Sequence, residues 1–249
     1  MTSYQALAGV YDSLTGDVDY KKRADFIEKL LHRSKLSVHT LLDLACGTGS
    51  MTALFMERGY ELIAVDGSED MLMAAQEKIC GLSGEMPLFL HQDMTSLDLY
   101  GTVDAAICCL DSLNYLMRPI DVQRTLRRLH LFIAPGGVLV FDISTLEKLS
   151  GMDGQVFLDE TEDVYCVWRS EFQQRSHIST HFMDIFTRQP NGSWQRAEEV
   201  HRQRAYTVEE LTAWLTAAGF TDIRTYGDCV CRPPKPGEQR IYFTAVRAQ

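Results

Sequence analysis

The stretch TLLDLACGTGS, residues 40–50, constrains this chain more than any other. Its apolar first half reads as a short buried strand. Gly47 and Gly49 then turn the backbone before a helix-forming run, SMTALFMERG, that stops at Gly59. A strand, a glycine turn and a helix in immediate succession let a ligand approach the main chain and present it with backbone N–H groups. The next hundred residues continue the rhythm. ELIAVDGS is a second buried strand, and Ser68 caps the helix EDMLMAAQEKI, whose first turn carries Glu69 and Asp70. PLFLHQDM and VDAAICCLDS read as a third and a fourth strand. Pro119 opens a helix with Val122, Leu126, Leu129 and Ile133 on one face, and APGG breaks it before the strand VLVFDIS. Near-continuous apolar strands separated by helices predict an α/β fold, with a mostly parallel sheet covered on both faces.

The flanks differ in pattern. Residues 19–33, DYKKRADFIEKLLHR, place Phe26, Ile27, Leu30 and Leu31 on one helical face, which predicts an N-terminal helical cap over residues 1–36. After Ser150 the period shortens to two. Ile178, Thr180, Phe182, Asp184 and Phe186 alternate with their neighbours, and PNGS at 190–193 is a hairpin turn. This predicts an antiparallel β insertion over 150–206. Thr207 and Glu210 form a capping-box pattern ahead of a helix with Leu211, Trp214, Leu215 and Ala218 inward, ending at Gly219. FTDIRTYG and RIYFTAVRA are closing strands, so residues 1–249 read as a single domain.

Composition removes several function classes. A net charge of −10 argues against a nucleic-acid partner, which needs clustered Lys and Arg. The one dense basic run, QRTLRRLH at 123–130, interleaves its charges with Leu126 and Leu129 as a solvated helix face does. No apolar run approaches the roughly 18 residues of a membrane span. The start, MTSYQALAGVYDSLTGD, lacks the basic and apolar regions of a secretory signal. The seven cysteines lack disulfide-framework or zinc spacing, so a cytoplasmic protein is expected. His177 and His181 fall on one expected strand face near His201, without the spacing of a metal site, and no metal is expected.

Asp66 lies nineteen residues beyond Gly47, at the end of the second strand, where a carboxylate accepts both hydroxyls of a ribose. Dinucleotide enzymes share that pair. Here, however, the third glycine of G-x-G-x-x-G is missing. Asp43, at the end of the first strand, would repel a pyrophosphate and attract an ammonium. A zwitterionic ligand is favoured over a diphosphate.

The segments DLACGTG, VDGS, QDM and IAPGGVLVFD together resemble the class I S-adenosylmethionine-dependent methyltransferases, and the likeness spans essentially the whole chain. The resemblance implies a Rossmann-like, seven-stranded, mostly parallel sheet with helices on both faces, and methyl transfer to a small molecule by in-line displacement. By position, Asp43 and the backbone at Ala45, Gly47 and Gly49 hold the methionine part of the cofactor. Asp66 takes the ribose hydroxyls, with Gly67, Ser68 and Met71 near the adenine. Asp93 takes the adenine amino group, with the Met94 N–H on a ring nitrogen. Cys109 and Leu110 flank the sulfonium, Asp111 and Asn114 face the acceptor, and Tyr4 and Tyr11 close over the cofactor. The chain reads CLDSLNY where methylases of nucleobase amines carry N/D-P-P-Y, which turns the expectation away from nucleic acid. Two alternatives stay open on sequence: an NAD(P)-dependent oxidoreductase, and a non-catalytic S-adenosylmethionine-binding or regulatory protein. The oligomer is a monomer or a homodimer paired through the insertion.

The acceptor side is read from EEVHRQRAY, residues 198–206. As a strand it places Glu199, His201 and Gln203 on one face, and Val200, Arg202 and Arg204 on the other. Two polar faces make sense if one lines a wet pocket; the plain alternative is a solvated strand with ion pairs. Glu199 and His201 are therefore the candidate catalytic pair, with His201 a base near neutral pH. Arg204 is the candidate for an acidic substrate group, and the insertion is the acceptor-side lid.

Overall fold

β-branched and leucine-rich runs too short to be helices build the centre of the molecule. The structure, a computed structural model, describes residues 7–248 apart from Arg33 and Lys35. A short helix, α1 (Tyr11–Leu14), and a longer one, α2 (Tyr20–Leu31), precede the first strand. Then come β1 (Thr40–Leu44), α3 (Ser50–Glu57), β2 (Glu61–Asp66), α4 (Glu69–Ile79), β3 (Leu88–His91), β4 (Val103–Cys108), α5 (Pro119–Phe132) and β5 (Ile133–Ser144). A one-and-a-half-turn helix, α6 (Leu146–Gly151), leads into β6 (Val156–Glu160), β7 (Val164–Gln173), β8 (Ile178–Arg188) and β9 (Trp194–Arg204). The chain closes with α7 (Val208–Ala218), β10 (Phe220–Tyr226) and β11 (Arg240–Arg247).

The strands form two sheets. The first has the order β10-β11-β5-β4-β1-β2-β3, with β11 antiparallel to both its neighbours and the remaining pairs parallel. Side chains alternate across it. Leu42, Ala106 and Phe141 pack with Leu126 and Leu129 of α5 and Leu211 and Leu215 of α7. Leu41, Ala105 and Val140 pack on the other face with Phe26, Ile27 and Leu30 of α2 and Phe55 of α3. Because β1 leads outward to β2 and β4 leads the other way to β5, the chain diverges between β1 and β4. Open α/β sheets bind ligands in the crevice that this divergence leaves at the carboxyl ends of the strands.

The second sheet, β6-β7-β8-β9, is antiparallel throughout and places His181 directly opposite His201. Asn191 closes the β8–β9 turn by accepting from the Ser193 N–H at 3.0 Å. The alternation in β9 runs as the sequence suggests. Glu199, His201 and Gln203 are buried, while Val200 and Arg202 are exposed. His177 departs from the expected strand face: it precedes β8 in a turn, with φ 56°. Ile133 departs too. α5 stops at Phe132, and Ile133 begins β5 opposite Val103, because the ladder slips between Val103 and Ala105 and draws the APGG segment into the strand. Among the described residues no helix is long and apolar enough to cross a membrane.

Gly137 sits at that slip. A Cβ built there would lie 2.7 Å from Ile133 Cγ2 and closer still to the Asp104 carbonyl oxygen. Backbone cannot yield as a flexible side chain does, so Gly137→Ala is expected to destabilise the fold by about 1–3 kcal/mol. Urea unfolding checks this; a midpoint equal to wild type would show that the β4–β5 slip has room to spare.

Candidate active site

The carboxyl ends of β1, β2 and β4 open onto a cavity of about 420 Å³. The turn after β1 shapes its floor. Ala45, Gly47 and Gly49 all have left-handed backbone, at φ 59°, 55° and 75°. Gly49 is needed for packing: a Cβ on it would meet Ala75 Cβ of α4 at 2.9 Å. It lets α3 and α4 approach and does not itself line the cavity, whereas Ala45 and Gly47 do.

Asp66 closes the turn from β2. Its Oδ2 accepts from the Gly47 N–H and its Oδ1 from the Ser68 N–H, both at 2.8 Å. Each carboxylate oxygen has two lone-pair sites, so one per oxygen remains to take a ribose hydroxyl. Burial raises the Asp66 carboxyl, and the backbone amides oppose that rise. Asp43, at the end of β1, is fully buried and accepts from the Thr52 hydroxyl at 2.6 Å. Burial, reinforced by the neighbouring Asp66, pushes its carboxyl up to about 6.

Gly67, Ser68, Met71, Met94, Cys109, Leu110 and Tyr11 also line this cavity. Asp93 does not. It is exposed and caps its own turn, accepting from the Thr95 N–H at 2.7 Å and the Thr95 hydroxyl at 2.6 Å. Tyr4 lies outside the described residues. Sequence reasoning missed Tyr20, Tyr115 and Arg240, which the tertiary fold brings to the cavity from three separate segments. It also missed the latch on the N-terminal cap. Asp12 of α1 accepts from the Thr48 hydroxyl at 2.7 Å and from Lys78 Nζ at 2.8 Å, and Lys78 also reaches Thr48 and Ser50. The cap is thereby tied to the glycine turn.

A second cavity of about 230 Å³ lies under the antiparallel sheet. Tyr11, Asp111 and Tyr115 line both cavities and so mark where they meet. His201 and His181 line the second one, and Glu199 sits behind His201. Glu199 Oε2 is 2.8 Å from His201 Nε2, while its Oε1 accepts from the Leu7 N–H at 2.9 Å. A carboxylate held on one side and bonded to an imidazole on the other fixes the ring's orientation. Asp111 is gripped by Arg240 at 2.5 Å and by the Gln203 amide. Burial works to raise the Asp111 carboxyl, but the Arg240 guanidinium, with Lys148 and Gln203, holds it well below the usual carboxylate range.

Two expected acceptor residues are placed elsewhere. Asn114 is wholly buried and binds the chain to itself: it donates to the Ser144 and Arg204 carbonyls at 3.0 and 2.8 Å and accepts from the Ser144 N–H at 3.0 Å. Arg204 donates to the Met117 carbonyl at 3.1 Å and lies over the Tyr206 ring at 5.4 Å, lining neither cavity. The reason is register. Arg204 follows Gln203 in β9 and so points to the opposite face from the one that lines the pocket.

Residues 41–137 match a family described as a methyltransferase domain. YqeM of Bacillus subtilis (strain 168), whose name assigns it to the methyltransferases, is 34% identical over 99% of this chain and 98% of its own length. A crystal structure of an S-adenosylmethionine-dependent methyltransferase from Clostridium acetobutylicum ATCC 824 superposes with a TM-score of 0.87, at 29% identity, covering 99% of each chain. The dTDP-3-amino-3,4,6-trideoxy-alpha-D-glucopyranose N,N-dimethyltransferase of Streptomyces venezuelae is 28% identical over 86% of this chain and 89% of its own length. The chain belongs to the class I S-adenosylmethionine-dependent methyltransferases, and S-adenosylmethionine is its cofactor. The larger cavity fits that molecule: buried Asp43 suits an ammonium, Asp66 suits a ribose, and Met71 and Met94 suit a flat apolar ring.

The expected pairing of Asp43 with the cofactor ammonium is testable through pH. Asp43 holds its proton more tightly folded, at about 6, than at the ordinary value of 3.8. Its favourable contribution to folding is complete below pH 3.8 and is lost as pH rises through about 6, a change on the order of 3 kcal/mol. An ammonium bound beside the ionised form offsets that loss. Affinity for S-adenosylhomocysteine, read by calorimetry, is therefore expected to level off above about pH 7 and to fall roughly tenfold per pH unit below about 6. Asp43→Asn should bind weakly with no such slope. A wild-type profile flat from pH 5 to 8 would place the ammonium elsewhere.

Proposed function

We propose that this protein methylates an amine nitrogen of a small molecule held in the second cavity. The observation that carries the reading is the meeting of the two cavities at Tyr11, Asp111 and Tyr115. A donor in one and an acceptor in the other would face each other across that junction, and in-line placement is the larger part of what this reaction requires. S-adenosylmethionine supplies an electrophilic methyl group on a sulfonium, which leaves without needing a proton.

The chain's own residues have three tasks. The first is to keep the junction dry, which the capping helix does through Tyr11 and the Asp12 latch. The second is to fix the acceptor. The third is to take a proton, because an amine at neutral pH arrives as an ammonium without a lone pair. His201 is the candidate base, since it lines the acceptor cavity; Glu199 is its positioning residue, held by the Leu7 amide. A nitrogen acceptor is supported by the named amino-sugar substrate of the Streptomyces venezuelae relative. A nicotinamide enzyme is not favoured, since Asp43 stands in the larger cavity where a pyrophosphate would have to lie.

A screen of amine metabolites, read by product mass with S-adenosylmethionine present, tests the activity. Once an acceptor is found, His201→Ala is expected to lower kcat by about 100-fold or more, within the usual range for losing a general base. Glu199→Gln should have a smaller effect in the same direction. Affinity for S-adenosylhomocysteine should stay within about twofold of wild type in both, because neither residue lines the cofactor cavity. Normal turnover in both variants would make β9 scaffold alone.

A further inference from the structure

Lys148 lines the second cavity and has no part in the methyl transfer proposed above. Thr145 caps α6 by accepting from the Lys148 N–H at 3.2 Å, and this first turn sets the lysine side chain along the cavity wall. Its Nζ donates to the Ser144 hydroxyl at 3.1 Å. Among the described residues it forms no ion pair. Asp111 and Asp142 are both near enough to act on it, though each of those carboxylates is bonded to Arg240. Burial pushes the Lys148 ammonium down, and the two carboxylates pull it back only in part. An ammonium has three donors, and with one used on Ser144 it can still donate to an anion placed in the cavity.

Trp168, Met152 and Met183 also line this cavity and supply its apolar wall. We propose that the acceptor is a small amino carboxylate, with its carboxylate on Lys148, its apolar body against Trp168 and the two methionines, and its amine at the junction. This rests on the methyltransferase reading and narrows its substrate class. Size supports it: about 230 Å³ lies below the roughly 300–1,000 Å³ of pockets that enclose drug-sized ligands, so a nucleotide-linked sugar would not be enclosed. Charge supports a carboxylate over a phosphate. Among the described residues no arginine lines this cavity to hold a phosphate in two-point fashion, and the single ammonium suits a single negative charge.

The test uses a ladder of ω-amino carboxylates of three to eight carbons, the n-alkylamines of matching length, and the matching ω-aminoalkyl phosphonates. Binding is read by calorimetry on the full chain saturated with S-adenosylhomocysteine. At the best-fitting length, the amino carboxylate should bind at least tenfold more tightly than its alkylamine. Lys148→Met should abolish that preference and Lys148→Arg should keep most of it. Equal binding of carboxylates and amines, no binding by any carboxylate, or a preference that survives Lys148→Met overturns the proposal. Tighter binding of the phosphonates overturns the carboxylate assignment. The wild-type comparison stands even if a variant fails to fold. Failure of S-adenosylhomocysteine to bind would strike the methyltransferase reading separately, and the ladder on unloaded protein would still report on Lys148.

Discussion

The buried cluster of Asp111, Asp142 and Arg240 is the interaction on which both cavities depend. The chain leaves β4 through two non-glycine residues in left-handed conformation, Leu110 at φ 57° and Asp111 at φ 53°. Such backbone costs of the order of 1–3 kcal/mol per residue and persists only when its surroundings enforce it. Asp142 of β5 supplies that enforcement by accepting from the Leu110 and Asp111 N–H groups at 2.8 and 3.0 Å. Arg240 of β11 then bonds both carboxylates. Removing one member of a buried pair of this kind costs about 3–5 kcal/mol, because its partner is left charged and unmatched. The reversed strand β11 therefore does more than complete a sheet: it supplies the cation that permits the turn at the junction.

Both cavities are also closed by one short segment. Leu7 donates its amide to Glu199 beside the second cavity, and five residues later Asp12 is latched to Thr48 and Lys78 beside the larger one. Tyr11 lies between these anchors and faces both spaces. Entry of either ligand thus bears on the same few bonds. One anchor is a backbone donor to a buried carboxylate. The other is half-exposed, since the Asp12 side chain keeps 50% of its accessibility, and the screening of an exposed pair makes it the weaker of the two.

The two sheets divide the chemical work according to their geometry. A parallel sheet gathers strand ends at one edge, which suits a site made of turns and main-chain amides, as at Ala45, Gly47 and Ser68. An antiparallel sheet presents side chains two residues apart on a common face, which suits a wall of polar groups. Glu199, His201 and Gln203 of β9 form such a wall, and His181 of β8 joins it by register. The second cavity is thus walled by side chains of the antiparallel sheet, and the larger one gathers the turns that follow β1, β2 and β4.

That division also separates what the sequence determines from what only folding decides. The strands, the glycine turn, the cap helix, the insertion and its hairpin are all local patterns, and they are legible because hydrophobic period and turn chemistry act over a few residues. That Asp43, Asp66 and Met94 come to one cavity is legible for the same reason, since each sits at a fixed offset from a strand end. Asp93 has the right offset and still turns away, because Thr95 offers its carboxylate a local partner that no spacing reveals. In β9, alternation alone shows that Glu199, His201 and Gln203 share a face. Which face is buried depends on packing against Leu7 and Asp111, more than ninety residues distant. Arg204, on the opposite face of β9, and Asn114, tied to Ser144 and to the Arg204 carbonyl, line neither cavity, and Lys148 is missed altogether. A single lysine in a six-residue helix carries no pattern, and its place in a cavity follows only from how β5, α6 and the second sheet come together.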